Sequence, residues 1–407
     1  MKKIILITIY CLFSVWVCGQ EQDDLLNYRR SSLYSMLISH TGDKFGDDIR
    51  DIFLQIPIPD KFDNHDLSIK VVNSDVRKKE EKEVIDAFLD RNRVARRLVS
   101  KWFNRDPETG VCNMDMISNR GLYNASFFDA ARAKKSLRGN DLLADAGEEL
   151  LNNTFVLIND VRYHDKQKTA KVFGSVIKVA GSVAGAAMGN SDISNLADKA
   201  GDLAASIKGF SVTVTSYLYK LEWTEDIAMT FYQDYYMDST RQDDAKRLAY
   251  NDLKDLFRLK YIGSQQVSSG KTSLEGVNTE SPEQMIRKVC TRAIDKSIVE
   301  LQKEHEEFRV KTPIYSVEPV ITAKMGLKEG VNAKNKYEVL EPYIDNDGRM
   351  AYKQVGVIQP IAGKIWDNRF MASEEHAFGA DLNVTSFRKI SGSDLYPGFL
   401  IRELKIK

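Results

Sequence analysis

Five histidines, His40, His65, His164, His305 and His376, stand singly along the chain, with no H-x-x-x-H, H-E-x-x-H or C-x-x-C spacing among them. A zinc site is therefore not expected from spacing, and no metal or cofactor is assigned. His164 lies beside Asp160 and Asp165, which makes it the first group an acid–base hydrolase would use, with His376 the other histidine a polar pocket would have to surround. The acids Asp141, Asp145, Glu148 and Glu149 line one helix face and read as solvated. "DNDG", Asp345 to Gly348, concentrates carboxylates but lacks the later acids and final Glu of a calcium loop, so it reads as a tight hairpin turn. The aromatics of "FYQDYY" and "IWDNRF" stand beside acids, at a spacing typical of core or interface rings. G-x-S-x-G and G-x-x-x-x-G-K-S/T are both absent from the sequence, so no catalytic residue is nominated.

The elements that would position such groups begin after a short leader. Lys2 and Lys3 precede an apolar run from Ile4 to Val17, and a cut before Gln20 makes residues 1–19 a secretory signal peptide of bacterial type. Cys18 would be the acylated residue of a lipoprotein, but Trp16 and Val17 occupy positions where a lipobox needs small residues. Loss of the leader removes two lysines and no acid from a chain with 58 basic and 58 acidic side chains, leaving a small negative charge and no basis for nucleic-acid binding. Cys112 and Cys290 remain and form one conceivable bridge in an oxidising compartment.

A helix over Asp24–Ser39 and an extended "IFLQIPIPDKF" form a lead-in over residues 20–64. An α/β domain over 65–310 follows. It holds a strand at 67–73, a long helix from Glu80 to Phe103, a strand "VCNMDMI" at 111–117, and helices at Asn124–Leu137 and Asp141–Leu150. "NTFVLINDVRY", 153–163, is apolar on both faces like a buried strand, and "FSVTVTSYLYKLEW", 210–223, is its natural partner. A polar helix near 239–251, a strand "LFRLKYIGSQQV" and a Ser/Gly/Thr-rich loop at 268–281 lead to a strong helix opened by Ser281, Pro282 and Glu283. Residues 311–407 hold short β runs separated by Gly, Asn, Asp and Pro, a small all-β module. The fold class expected is α+β: an α/β-type N-terminal domain with an inserted α-helical hairpin, then a barrel-like C-terminal module.

The hairpin is the stretch least like the rest. "FGSVIKVAGSVAGAAMG", 173–189, has Lys178 as its one charge and places Gly174, Gly181, Gly185 and Gly189 on one helical face. It is too short, and too costly at Lys178, for a membrane span. With a second helix from Ile193 to Ile207 it forms an antiparallel hairpin over about 168–208. Phe173, Val176, Val179, Ala180 and Val183, with Gly181 and Gly185 allowing close approach, form the candidate interaction surface.

This order of elements, with "RGLYNASFFDAARAKKSLRGNDLLADAGEELLNNTFVLIND" and the C-terminal "GLKEGVNAKNKYEVLE", resembles envelope proteins of the CsgG, FlgT and TolB-N-terminal type and secreted proteins of the Bacteroidetes. The resemblance covers about residues 65–400 in outline and implies a periplasmic or outer-membrane-associated assembly or scaffold protein without catalysis. The poor lipobox and the helical hairpin depart from a pore-forming relative, so a pore role and functional residues are not carried over. The expected partners are envelope proteins or a second copy of the chain, with peripheral outer-membrane contact. The alternative class is a periplasmic hydrolase of an envelope polymer.

Overall fold

The computed structural model describes residues 31–40, 42–73, 81–117, 120, 150–165, 207–274, 282–344, 350–375 and 378–404. The expected signal peptide, nearly all of the helices over 124–150, the hairpin up to residue 206, His376 and the turn at 345–348 lie outside the described residues. The fold is mixed α+β, built from a six-stranded sheet and a closed β-barrel.

The sheet is centred on β1 (Ser32–Ser39) and β4 (Thr154–Asp165), which run parallel from Ser32↔Thr154 to Ile38↔Asp160. β2 (Asp63–Asn64) and β3 (Val71–Asn73) pair in succession along the other side of β1, both parallel to it. β5 (Ile207–Leu221) pairs antiparallel with β4, and β6 (Leu259–Leu274) antiparallel with β5. Strand alternation splits the core into two layers. Tyr34, Met36, Ile38, Val156, Ile158, Tyr217 and Tyr219 face one side, where α2 (Glu81–Arg91), α3 (Val94–Trp102), α4 (Glu225–Asp234) and α5 (Asp244–Asp252) pack. Leu33, Leu37, Phe155, Leu157, Val212, Val214 and Leu218 face the other, under α1 (Gly46–Gln55) and α6 (Pro282–Glu304). The result is three layers with helices on both faces of the sheet.

Several local expectations change. Residues 32–39, expected as part of a lead-in helix, are instead the central strand β1, because their apolar side chains are demanded on both faces at a period of two. Residues 32–64 thus belong to the sheet and its first helix. The helix expected over 80–103 is two helices, since Arg93 adopts φ 49° and the Asn92 amide bonds back to the Phe88 carbonyl, ending the first. "VCNMDMI" is not a strand: Cys112 and Asn113 each donate one backbone bond, to Met237 and Phe103, and a helical turn starts at Asp115. The polar 268–281 stretch is strand as far as Leu274, held by register with β5 down to Ile207, which also turns Ile207 and Lys208 from helix into strand.

Helix α6 buries Met285, Ile286, Val289, Cys290, Ala293, Ile294, Ile298 and Leu301 as its stripe predicts. After it come β7 (Thr312–Ser316), β8 (Ile321–Ala323), β9 (Tyr337–Ile344), β10 (Met350–Pro360), β11 (Thr385–Gly392) and β12 (Leu400–Glu403). They close in the order β10-β11-β8-β7-β12-β9 around Ile314, Tyr337, Val339, Ile358, Phe387 and Ile401. β11, with Arg388, Lys389 and Ile390 exposed, has no strand signature in the sequence, whereas the expected "GKIWDN" run is irregular. Polar contacts fasten the barrel to the sheet unit: Lys61 Nζ donates to the Lys324 carbonyl at 2.6 Å, Arg309 to the Glu403 carbonyl at 2.8 Å, and Arg402 to Glu306 at 3.0 Å.

Candidate functional site

Among the described residues, ionisable groups gather beside clefts of about 260 and 390 Å³. The first lies at the carboxyl ends of the parallel strands β1 and β4, where open α/β sheets commonly bind ligands. Ile158 faces the α2–α3 layer, so alternation puts Asp160 and Arg162 on that same face. His40 follows the last residue of β1, and its Nε2 lies 2.5 Å from Asp160 Oδ1. Arg162 Nε donates to Asp160 Oδ2 at 3.0 Å and its terminal nitrogen to Glu81 Oε1 at 3.1 Å. The Tyr217 hydroxyl donates to the other Glu81 oxygen.

Burial and partners push these two carboxyls apart. For Asp160, burial raises the carboxyl, but His40 and Arg162 outweigh it and hold the group below its ordinary range. For Glu81, burial also raises the carboxyl; the Tyr217 and Arg162 hydrogen bonds oppose this, while negative Asp160 adds to it, and the net direction is upward. The adjoining cleft, about 260 Å³, is lined by Ser39, His40, Asp43, Lys44, Tyr163 and His164 among others. His40 itself lines that cleft, with its Nε2 committed to Asp160.

The sequence pointed to Asp160 but to a different histidine. His164 is exposed on the rim of this cleft, and the Asp160 oxygens are occupied by His40 and Arg162. The His164–Asp160 group is thus not assembled. His40 was missed because residues up to Ser39 read as a helix; placed at a strand end, it would have stood beside the end of β4. The expected interaction surface, Phe173, Val176, Val179, Ala180, Gly181, Val183 and Gly185, lies outside the described residues. Phe231 of "FYQDYY" is core, packing against Phe103 at 4.5 Å, Trp223 at 5.7 Å and Tyr250 at 6.3 Å, and Tyr232, Tyr235 and Tyr236 pack half-buried against that core.

The second place is a cleft of about 390 Å³ where α6 meets the barrel. Its lining includes six cations, Lys288, Arg292, Lys296, Lys303, Lys328 and Arg369, against three acids, Asp295, Glu300 and Glu375. Glu375 reaches from the barrel to α6, accepting from Lys288 Nζ at 3.2 Å and from Arg292 at 2.9 Å. Arg292 also donates twice to the Phe370 carbonyl, at 3.0 and 2.8 Å. Burial pushes the Asp295 carboxyl up to about 6; Lys328 opposes this, while Glu329 and Asp60 add to it. No local sequence signal marked this cleft, because its walls come from elements far apart in the chain.

The two cysteines cannot pair. Cys112 is buried in the α2–α5 layer and Cys290 in the α6 layer, on opposite faces of the sheet, and both are free thiols. Among the described residues, no group of three His, Cys, Asp or Glu side chains is placed to hold a metal ion, and no helix is long and apolar enough to cross a membrane. In comparisons with known proteins, no protein-family model matches the chain, and no curated protein matches it.

Proposed function

We propose that this chain is an exported, non-enzymatic envelope component that acts as a scaffold, assembly or adaptor protein in the periplasm or at the outer membrane. The leader over residues 1–19 supports export, and the segments "RGLYNASFFDAARAKKSLRGNDLLADAGEELLNNTFVLIND" and "GLKEGVNAKNKYEVLE" support a resemblance to CsgG-, FlgT- and TolB-N-terminal-type proteins. One observation carries the contact role. Of eight large apolar side chains exposed among the described residues, five, Tyr343, Phe378, Leu382, Ile390 and Tyr396, belong to the barrel, and Phe378 is 80 % exposed. The larger share of exposed apolar side chains on this module supports placing the contact surface there. The partner is another protein of the envelope, with self-association the competing occupant.

Site-specific photo-crosslinking in intact cells tests this. Probes replacing Phe378 and Tyr396 are expected to give one discrete adduct in the envelope fraction, absent with a probe at Lys254 on the sheet unit and lost when Ile390→Ser is added. Retention of the chain in the cytosol, or equal labelling from all three positions, would overturn the reading. A second reading, a hydrolase of an envelope polymer, is favoured by one relationship: His40 held by buried Asp160 and lining a cleft, a pairing that a general base would use. Polymer turnover that disappears in His40→Ala and survives in His164→Ala would select it.

A further inference from the structure

The cleft between α6 and the barrel is charged in a way that the fold alone does not require. Lys288, Arg292 and Lys296 follow one another at intervals of four on α6, an arrangement in which like charges destabilise a helix. Glu375 answers the first two from the barrel side. Lys296 and Lys328, on opposite walls of the cleft, form no salt bridge among the described residues. Asp295 lines the same cleft as a half-buried carboxyl with no hydrogen-bond partner among the described residues, and Lys328 is the cation that acts on it.

We propose that this cleft is a binding site for a phosphate group carried on a small organic body. Cations approaching from two walls suit an anion whose oxygens point in several directions, and lysines serve it as point charges, whereas a planar carboxylate is matched by one guanidinium fork. The volume, about 390 Å³, falls in the range of small-molecule sites, and Val289, Val299 and Leu327 offer an apolar wall for the organic part. Asp295 gives the site a proton dependence. When protonated it donates a hydrogen bond to a phosphate oxygen; when ionised it repels the ligand. The charged groups around it among the described residues are Arg292 and Lys296 on its own helix, Lys328 and Glu329 from the barrel and Asp60 from the segment after α1, while the described side of β6 brings Ser269 and Gly270.

The test is calorimetric titration of the full chain with phenyl phosphate, inorganic phosphate and benzoate at low salt. Phenyl phosphate is expected to saturate one site and to bind more tightly than either companion. Lys296→Gln and Lys328→Gln are each expected to weaken it about tenfold, the size of one charge-assisted contact. The ester itself gains charge with rising pH, so the Asp295 effect is read against a variant. Asp295→Asn should bind more tightly than the natural chain at about pH 7.5 and equally at about pH 5, where the Asp295 carboxyl is mostly protonated. Circular dichroism of each variant verifies folding, and Lys296 is exposed enough that its replacement leaves the fold intact. Absence of saturable phenyl phosphate binding, benzoate binding as tightly, inorganic phosphate binding as tightly, or indifference to both lysine replacements would each overturn the assignment.

Discussion

His40 Nε2 and Asp160 Oδ1 lie 2.5 Å apart although 120 residues separate them, so one short contact ties the end of β1 to the end of β4. Arg162 closes the other side of the same carboxylate and continues to Glu81. The contact is interior: Asp160 is only 1 % exposed. His40 and Arg162 keep partial exposure at the cleft, so stability at this corner depends chiefly on the cations that answer the buried Asp160 carboxylate.

Asp160→Asn keeps the shape and removes the charge, leaving the Arg162 guanidinium with Glu81 as its main counter-ion. The expected loss is about 3 kcal/mol, in the range for breaking a buried pair on one side. Urea denaturation at neutral pH measures it, and a loss below about 0.5 kcal/mol, the scale of an exposed pair, would show the network to be solvated.

His65 should make the fold acid-sensitive. Its ring stacks on Trp102 at 4.7 Å, Nε2 bonds the Leu98 carbonyl, Nδ1 faces Arg120, and burial, with Arg120 adding to it, pushes the imidazole down to about 3. The unfolded chain takes up a proton at this ring near pH 6.5, so the unfolded state binds more protons below that point, and stability falls as pH drops from about 6.5 toward 3, by about 1.4 kcal/mol per unit from this group. His65→Gln should be less stable at pH 7 but lose stability with a shallower slope, which denaturation curves over that interval would reveal.

Asn159, Ser216 and Ser297 form a polar chain inside the α6 layer: Ser216 Oγ donates to Asn159 Oδ1 at 2.7 Å and lies 2.8 Å from Ser297 Oγ, while the Asn159 amide reaches Ser35 and the Met36 carbonyl. All three are fully buried. Ser216→Ala strands the Asn159 oxygen and is expected to cost about 1 to 3 kcal/mol, whereas Thr213→Ala, which loses only an exposed contact to Ser268, should change stability by less than about 0.5 kcal/mol. Equal effects from the two would contradict the placement.

Gly330 sits where the barrel touches α6, with φ 76° and room for a Cβ only 2.6 Å from Val299 Cγ1. Gly330→Ala should cost about 1 to 3 kcal/mol through strain and overlap together. Adding Val299→Ala should recover the overlap part and not the strain, a coupling that a double-mutant cycle on thermal unfolding would resolve.

What was legible follows from how local each signal is. β4, β5 and α6 could be read because a continuous apolar run, a β-branched alternation and a capped stripe each lie within one segment. β1 could not, because "SLYSMLIS" is apolar on both sides and acquires its meaning only from neighbours at Thr154 and Val71, far along the chain. The same distance hid the site: Asp160 stood out, but its histidine partner was sought four residues away and stands before α1 instead. The α6–barrel cleft was invisible for a related reason, since Lys288, Arg292 and Lys296 look like an ordinary wet helix face until Glu375 and Lys328 are brought over them.

The two thiols end up as observers stationed on either side of one wall. Burial pushes Cys290 up to about 12 and raises Cys112 as well, so neither sulfur reacts while its own layer stays shut. Because each answers to a different set of helices, the order in which a thiol-specific label enters them reports which half of the molecule loosens first.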